Sequence, residues 1–175
     1  MQLKYPVSDL INPNGIDVGN KFPLCMADIN SKKERSFNMS RVCSTETKPE
    51  QELRSLLHKA GFRFRKNLKN LPGKPDIVLP KYKAIVFVHG CFWHGHTGCK
   101  KAKLPTTRTE FWTNKIADNI TRDQKNIELL QQQGWRIAII WECYLKNKLI
   151  RDQTSKNIVA WLRSNSLFLE IPVND

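Results

Sequence analysis

The sequence predicts an α/β fold in which a mixed central β-sheet is flanked by helices. Two observations carry this. Short β-branched runs, "PDIVLP", "KAIVFVHG" and "WRIAIIWEC", are bounded by Gly, Pro and charged residues, and helix-period patterns lie before, between and after them. The arrangement reads helix, three strands, helices, strand, helix. Residues 1 to about 30 are turn-rich ("NPNG", "DVGN"), lack a sustained period and read as an N-terminal extension. One domain is expected over residues 31–175. Its first part, residues 31–45, holds the basic stretch "SKKERSFNMSRV", a short helix that could order on a partner.

From Pro49 the pattern becomes helical. Pro49 suits a helix start, acids follow in the first turn, Leu53, Leu56 and Leu57 supply an apolar side, and Gly61 is a stop. "FRFRKN" alternates like a strand. "PDIVLP" and "KAIVFVHG" are two short strands joined at Lys81–Tyr82 as a hairpin. "TEFWTNKIADNITRDQKNIELLQQQG" reads as one or two helices ending at Gly134. "WRIAIIWEC" is a buried strand, and "TSKNIVAWLRSN" a final short helix.

Composition narrows the function. The chain has 175 residues, 40% of them hydrophobic, which suits one folded domain with an arm. It has no run of eighteen apolar residues and no signal-peptide core at its N-terminus, so no membrane partner and a cytosolic location are expected. The net charge of +13 points to a polyanion, most simply nucleic acid. An anionic membrane surface is disfavoured, because no long basic amphipathic helix stands out. Five cysteines, Cys25, Cys43, Cys91, Cys99 and Cys143, are an odd number and argue against a disulfide framework.

Metal ligation explains some of these thiols better. Cys91, His96 and Cys99 lie in one glycine-rich loop, C-x4-H-x2-C, and Cys143 ends the "RIAIIWEC" run. Four thiolate or imidazole donors suit a closed, tetrahedral, structural zinc site that staples the loop to the sheet. The alternative is a set of ordinary buried thiols and a surface histidine. His58, His89 and His94 are not needed as zinc ligands, and Cys25 and Cys43 are expected to be free.

A second constellation surrounds Asp76, the only acid between Phe62 and Lys83, among Arg63, Arg65, Lys66, Lys69, Lys74 and Lys81. A carboxylate there could hold Mg²⁺, which prefers oxygen donors. A turn-forming Asp after Pro is the plainer reading. The hairpin would bring Asp76 beside the Val88 carbonyl, His89 and His94, and histidine is suited to proton transfer near neutral pH. Glu50, in the first helical turn, could join the site or merely compensate the helix dipole.

Taken together, "LPGKPDIVLPKYKAIVFVHGCFWHGHTGC", "TRTEFW" and "GWRIAIIWEC" resemble the very-short-patch-repair (Vsr) mismatch endonucleases, over about Ser31 to Leu145. The resemblance implies a restriction-endonuclease-like core with a zinc-stapled loop, and a Mg²⁺-dependent nick in one strand of double-stranded DNA beside a T:G mismatch. By resemblance, Asp76 and the Val88 carbonyl would hold Mg²⁺ and His94 would be the general base. His89 would assist at the phosphate, and Glu50 would orient the histidine side. Cys91, His96, Cys99 and Cys143 would hold Zn²⁺. Phe92 and Trp93, with Trp112, would wedge into the base stack, and Met39 would enter from the other groove. Unstacking costs a few kcal/mol per step, which aromatic wedges partly recover, and a mispaired step opens more cheaply.

The chain departs from the family pattern in places. Val88 stands where Thr is usual, Gly95 replaces a usual histidine, one extra residue separates His96 from Cys99, and the N-terminal extension is longer. A monomer is expected, cytoplasmic and nucleoid-associated in a prokaryote, with a functional link to a cytosine-5 DNA methyltransferase. Two alternatives stand beside this: a restriction-type endonuclease of the same fold cutting matched duplex, and a non-catalytic zinc-stapled DNA-binding module.

Overall fold

The computed structural model describes Lys33, Glu34, Phe37, Ser40 and residues 46–172. The extension at residues 1–30, Met39, Cys25 and Cys43 lie outside the described residues. Lys33, Glu34, Phe37 and Ser40 are helical, and the Ser40 hydroxyl donates to the Phe37 carbonyl at 2.7 Å. The chain falls into two units, Met1–Val42 and Cys43–Asp175, and every element below belongs to the second.

Helix α1 spans Lys48–Lys59, with Pro49 in its first turn. Strands β1 (Ile77–Leu79) and β2 (Ala84–His89) form the expected hairpin, and a 3-10 turn over Pro80–Tyr82 joins them. "FRFRKN" does not form a strand. Its ordered pairing is a single bridge between Arg65 and Val78, because β1 is three residues long and offers little ladder to extend. Helix α2 is one continuous element, Thr109–Gln132, closed where Gly134 (φ +78) donates its N–H to Gln131. Strand β3 spans Arg136–Trp141, so Cys143 sits just past the strand, in the 3-10 turn Glu142–Leu145. Helix α3, Lys148–Arg163, is a turn and a half longer at its start than the sequence pattern indicates, and Asn147 caps it by accepting from Ile150 N–H. A fourth strand, β4 (Phe168–Ile171), was not anticipated.

The sheet order is β1-β2-β3-β4. The β1/β2 pair is antiparallel, and β2/β3 and β3/β4 are parallel, which makes the sheet mixed. Alternation along the strands sends side chains to two cores. Ile77, Leu79, Ala84, Val86, Ala138 and Ile140 meet Leu53, Leu57, Ile158 and Trp161 of α1 and α3. Val78, Ile85, Phe87, Ile137, Ile139 and Trp141 meet Ile127 and Leu130 of α2. The sheet is thus a layer between α1/α3 and α2, and the same period carries His89 to the α2 side. No described helix is long and apolar enough to cross a membrane.

Candidate active site

Asp76 immediately precedes β1. The antiparallel register sets Ile77 opposite Val86, so Asp76 reaches the end of β2, where its Oδ2 accepts the Val88 N–H at 2.8 Å. The structure therefore joins Asp76 to the residue whose carbonyl was expected to share its cation. Burial raises the Asp76 pKa to about 6; the Val88 N–H opposes that rise, and the Glu50 charge adds to it. A buried carboxylate beside a second acid is a place where a divalent cation would be favoured. Carboxylate and peptide oxygens are the donors that Mg²⁺ takes.

Glu50 does more than face the helix dipole. It is 3% exposed and lies on the buried stripe of α1 with Leu53, Arg54 and Leu57. Its Oε1 accepts from the Thr47 hydroxyl at 2.7 Å. Its Oε2 accepts from Glu46 N–H at 3.0 Å and from Arg54 at 2.6 Å. These bonds hold it on the Asp76 side of the site, and none of them goes to a histidine.

The histidines find a different carboxylate. His94 Nδ1 bonds to Asp123 Oδ2 at 2.5 Å, and Asp123 also accepts from Arg122. His94 stacks on His89 with ring centroids 4.0 Å apart and planes 8° from parallel. Burial drives the His89 pKa down to about 3, and the neighbouring His94 charge adds to the effect, so His89 is neutral at physiological pH. Burial works to raise the Asp123 pKa, but the His94 hydrogen bond and charge outweigh it and hold the carboxyl below its ordinary value. With Nδ1 committed to Asp123, His94 keeps Nε2 as its free basic nitrogen. Asp123 was missed in the sequence. Its signal was position: it continues the α2 stripe of Ile116, Asn119, Ile127 and Leu130, where an acid has no packing reason to be.

The loop after β2 is wound by its own backbone. His94 N–H bonds to Gly90 O, His96 N–H to Cys91 O, and Cys99 N–H to His96 O. These turns gather Cys91, His96, Cys99 and Cys143, whose ligand atoms lie within 4.8 Å of one another. His96 Nδ1 is 3.4 Å from Cys91 Sγ and 3.5 Å from Cys143 Sγ. Donors around tetrahedral zinc stand about 3.5–3.8 Å apart, given Zn–S of ~2.3 Å and Zn–N of ~2.0–2.1 Å. The four residues therefore fit such an ion. Burial raises the Cys91 and Cys143 thiol pKa values, so without a cation both stay protonated. Trp141 packs between this cluster and the histidine pair, stacked on His96 at 4.1 Å and edge-on to His89 at 5.3 Å. The parallel register that pairs His89 with Trp141 explains that contact. The fourth histidine, His58, is exposed on α1.

Phe92 and Trp93 leave the same loop half-buried, and Trp112 comes to them from the first turn of α2. The three rings contact one another with centroids 5.1, 5.3 and 6.0 Å apart. Asn119, also missed in the sequence, donates to the Trp93 carbonyl at 2.9 Å and fixes the loop on α2. Trp112 is thus part of a surface aromatic cluster rather than of either core.

Residues 27–101 match the family model described as DNA mismatch endonuclease Vsr. The chain is 51% identical over 138 residues to the type II nicking enzyme V.NmeAIP of Neisseria meningitidis, covering 79% of this chain and 98% of that protein. It is 45% identical over 134 residues to the type II nicking enzyme V.XorIIP of Xanthomonas oryzae, covering 77% of this chain and 98% of that one. It is 43% identical over 139 residues to the DNA mismatch endonuclease Vsr of Escherichia coli, covering 78% and 88%. A mixed sheet with carboxylates and a hydrogen-bonded imidazole at its edge is, with these relatives, that of a DNA endonuclease. The chain belongs to the Vsr family of DNA mismatch endonucleases.

Proposed function

We propose that this chain is a Mg²⁺-dependent endonuclease that nicks one strand of double-stranded DNA beside a T:G mismatch, as in very-short-patch repair. The observation that carries the reading is the convergence of three groups at one sheet edge: Asp76 with Glu50, His94 with Asp123, and the Phe92–Trp93–Trp112 cluster. The printed names of the relatives, a mismatch endonuclease and nicking enzymes, support it.

In this mechanism Asp76 and the Val88 carbonyl would hold Mg²⁺, which when bound would supply charge neutralisation at the phosphoryl oxygens. His94 Nε2 accepts the proton of the attacking water, and Asp123 fixes the imidazole tautomer and stabilises the charge that His94 gains. His89, neutral, assists at the phosphate as an uncharged donor. Glu50, bonded to Arg54, would add a second carboxylate beside Asp76 to the cation site. The Cys91, His96, Cys99 and Cys143 set would hold a structural Zn²⁺ that would keep the loop, and with it His94 and the wedge, in one geometry. Because the backbone would supply the ligand, Val88 in place of Thr would leave metal binding intact. Residues 31–45, with Met39, contact DNA from the opposite groove. The protein acts as a cytoplasmic monomer on nucleoid DNA, where a cytosine-5 DNA methyltransferase creates the deamination-prone base.

The test is a nicking assay on end-labelled duplexes, matched or carrying one T:G pair, with Mg²⁺ or with EDTA. A Mg²⁺-dependent nick confined to the T strand is expected. Cutting of both strands of matched duplex would favour the restriction-type reading, and salt-sensitive binding without any Mg²⁺-dependent product would favour a non-catalytic module.

A further inference from the structure

The three wedge rings are mutually satisfied, but the aromatic surface does not end with them. Phe111, one residue before Trp112, packs edge-on against Trp112 with centroids 5.2 Å apart and planes at 78°. It remains 48% exposed, so it serves neither core. The Arg108 guanidinium lies 4.7 Å from its ring centroid. Arg108 is the residue on which α2 starts, and it holds a left-handed backbone conformation (φ 56, ψ 42) that side chains other than glycine rarely adopt. No carboxylate among the described residues pairs with it. The result is an exposed ring fixed in place by a cation whose charge is unspent. A chain of net charge +13 presents the pair beside a cluster already read as entering DNA.

We propose that Phe111 and Arg108 form a further DNA-binding site, an outer step of the wedge, in which the ring stacks on the base neighbouring the opened pair and the guanidinium takes an adjoining phosphate. This rests on the wedge reading of Phe92, Trp93 and Trp112. The chemistry matches both halves of a nucleotide. Every base offers a π-face for stacking, and a guanidinium released from a ring binds phosphate in a bidentate fork. The site would add affinity without choosing a sequence, and would fix how far along the duplex the opened region extends.

The test is fluorescence anisotropy in EDTA with a T:G duplex carrying 2-aminopurine beside the mismatch, together with single-turnover nicking at saturating DNA. Phe111→Ala is expected to weaken binding about tenfold, the scale of one stacked base, and to reduce the 2-aminopurine unstacking signal. Its saturated nicking rate should fall less than its affinity does, and the melting temperature should hold because the ring is exposed. Phe111→Trp should bind like the natural protein, and Arg108→Met should weaken binding and reduce the salt slope by about one. The proposal is overturned if Phe111→Ala binds and unstacks like the natural protein while Phe92→Ala does not. If Phe92→Ala also leaves binding and unstacking unchanged, the wedge reading falls with it.

Discussion

Asp76 is the residue at which stability and function oppose each other. Its carboxyl titrates near 6 in the fold, against an ordinary value near 3.8. Between those values the folded state binds more protons than the unfolded one, so stability falls as pH rises through that window, and the loss is complete above about pH 6. Asp76→Asn removes the buried charge and keeps an oxygen for the Val88 N–H. We expect it to abolish nicking and to retain most DNA binding. In EDTA at pH 7.5 it should raise the melting temperature by a few degrees, on the order of 2 kcal/mol. A variant that melts lower than the natural protein, or that still nicks, would remove Asp76 from the cation site. His89 works in the opposite pH direction: unfolded, it takes a proton near 6.5, whereas in the fold it resists to about 3, so it costs stability as pH falls below 6.5. Asp123→Asn tests the imidazole pair. Its saturated nicking rate should drop about a hundredfold, the scale of general-base catalysis, while DNA affinity barely changes; an unchanged rate would mean that the bond to His94 is only structural. Asp76 was legible because it stood alone among cations at the start of a strand. Asp123 was not, because its acid lies 29 residues beyond His94 and meets it only when α2 packs on the sheet.

The loop from Gly90 to Ala102 shows how one element can be read in composition and misjudged in shape. Its cluster of Cys91, His96 and Cys99 was legible as a spacing, since a tetrahedral site would need four soft donors and the loop supplied three. Its seat was not. Gly95 sits at φ +64, and an added Cβ would stand 2.7 Å from Ile120 Cδ1 and 3.1 Å from Ile116 Cγ2 on α2. At this position the loop closes tightly against its helix. Gly95→Ala should therefore lower the melting temperature by several degrees, about 1–3 kcal/mol for overpacking together with an unfavourable φ. Combining it with Ile120→Val removes the nearest methyl and should recover part of that loss, leaving the backbone share. Equal melting temperatures for Gly95→Ala with and without the second change would show that backbone conformation, not α2, sets the cost. The strands divide in the same way. β2 and β3 announced themselves as runs of β-branched residues, whereas β4, "FLEI", is an edge strand of four residues and lacks such a run. "FRFRKN" alternated correctly but found only Val78 to pair with. Pairing partners, unlike propensity, are a property of the whole sheet.

At the scale of the molecule, charge and stacking divide the work. Net charge of +13 supplies an affinity for any duplex, carried by phosphate contacts and counterion release. Charge was the first functional signal in the sequence because it needs no geometry. Discrimination, on the proposed reading, needs geometry: Phe92, Trp93 and Trp112 meet from a loop and a helix joined through Asn119. The two contributions respond differently to salt. If about six phosphates are neutralised, affinity for matched duplex should fall roughly a thousandfold between 50 and 200 mM salt. Stacking on a loosened base releases no counterions, so the ratio of T:G to matched affinity should change less than about threefold over the same range. Competition binding at four salt concentrations, in EDTA and with both duplexes, measures the two quantities together. A ratio that collapses toward one along with the total affinity would mean that charged side chains, not the aromatic cluster, recognise the mismatch. The reading of Phe92, Trp93 and Trp112 as a wedge would then be wrong, even if Asp76 and His94 still cut.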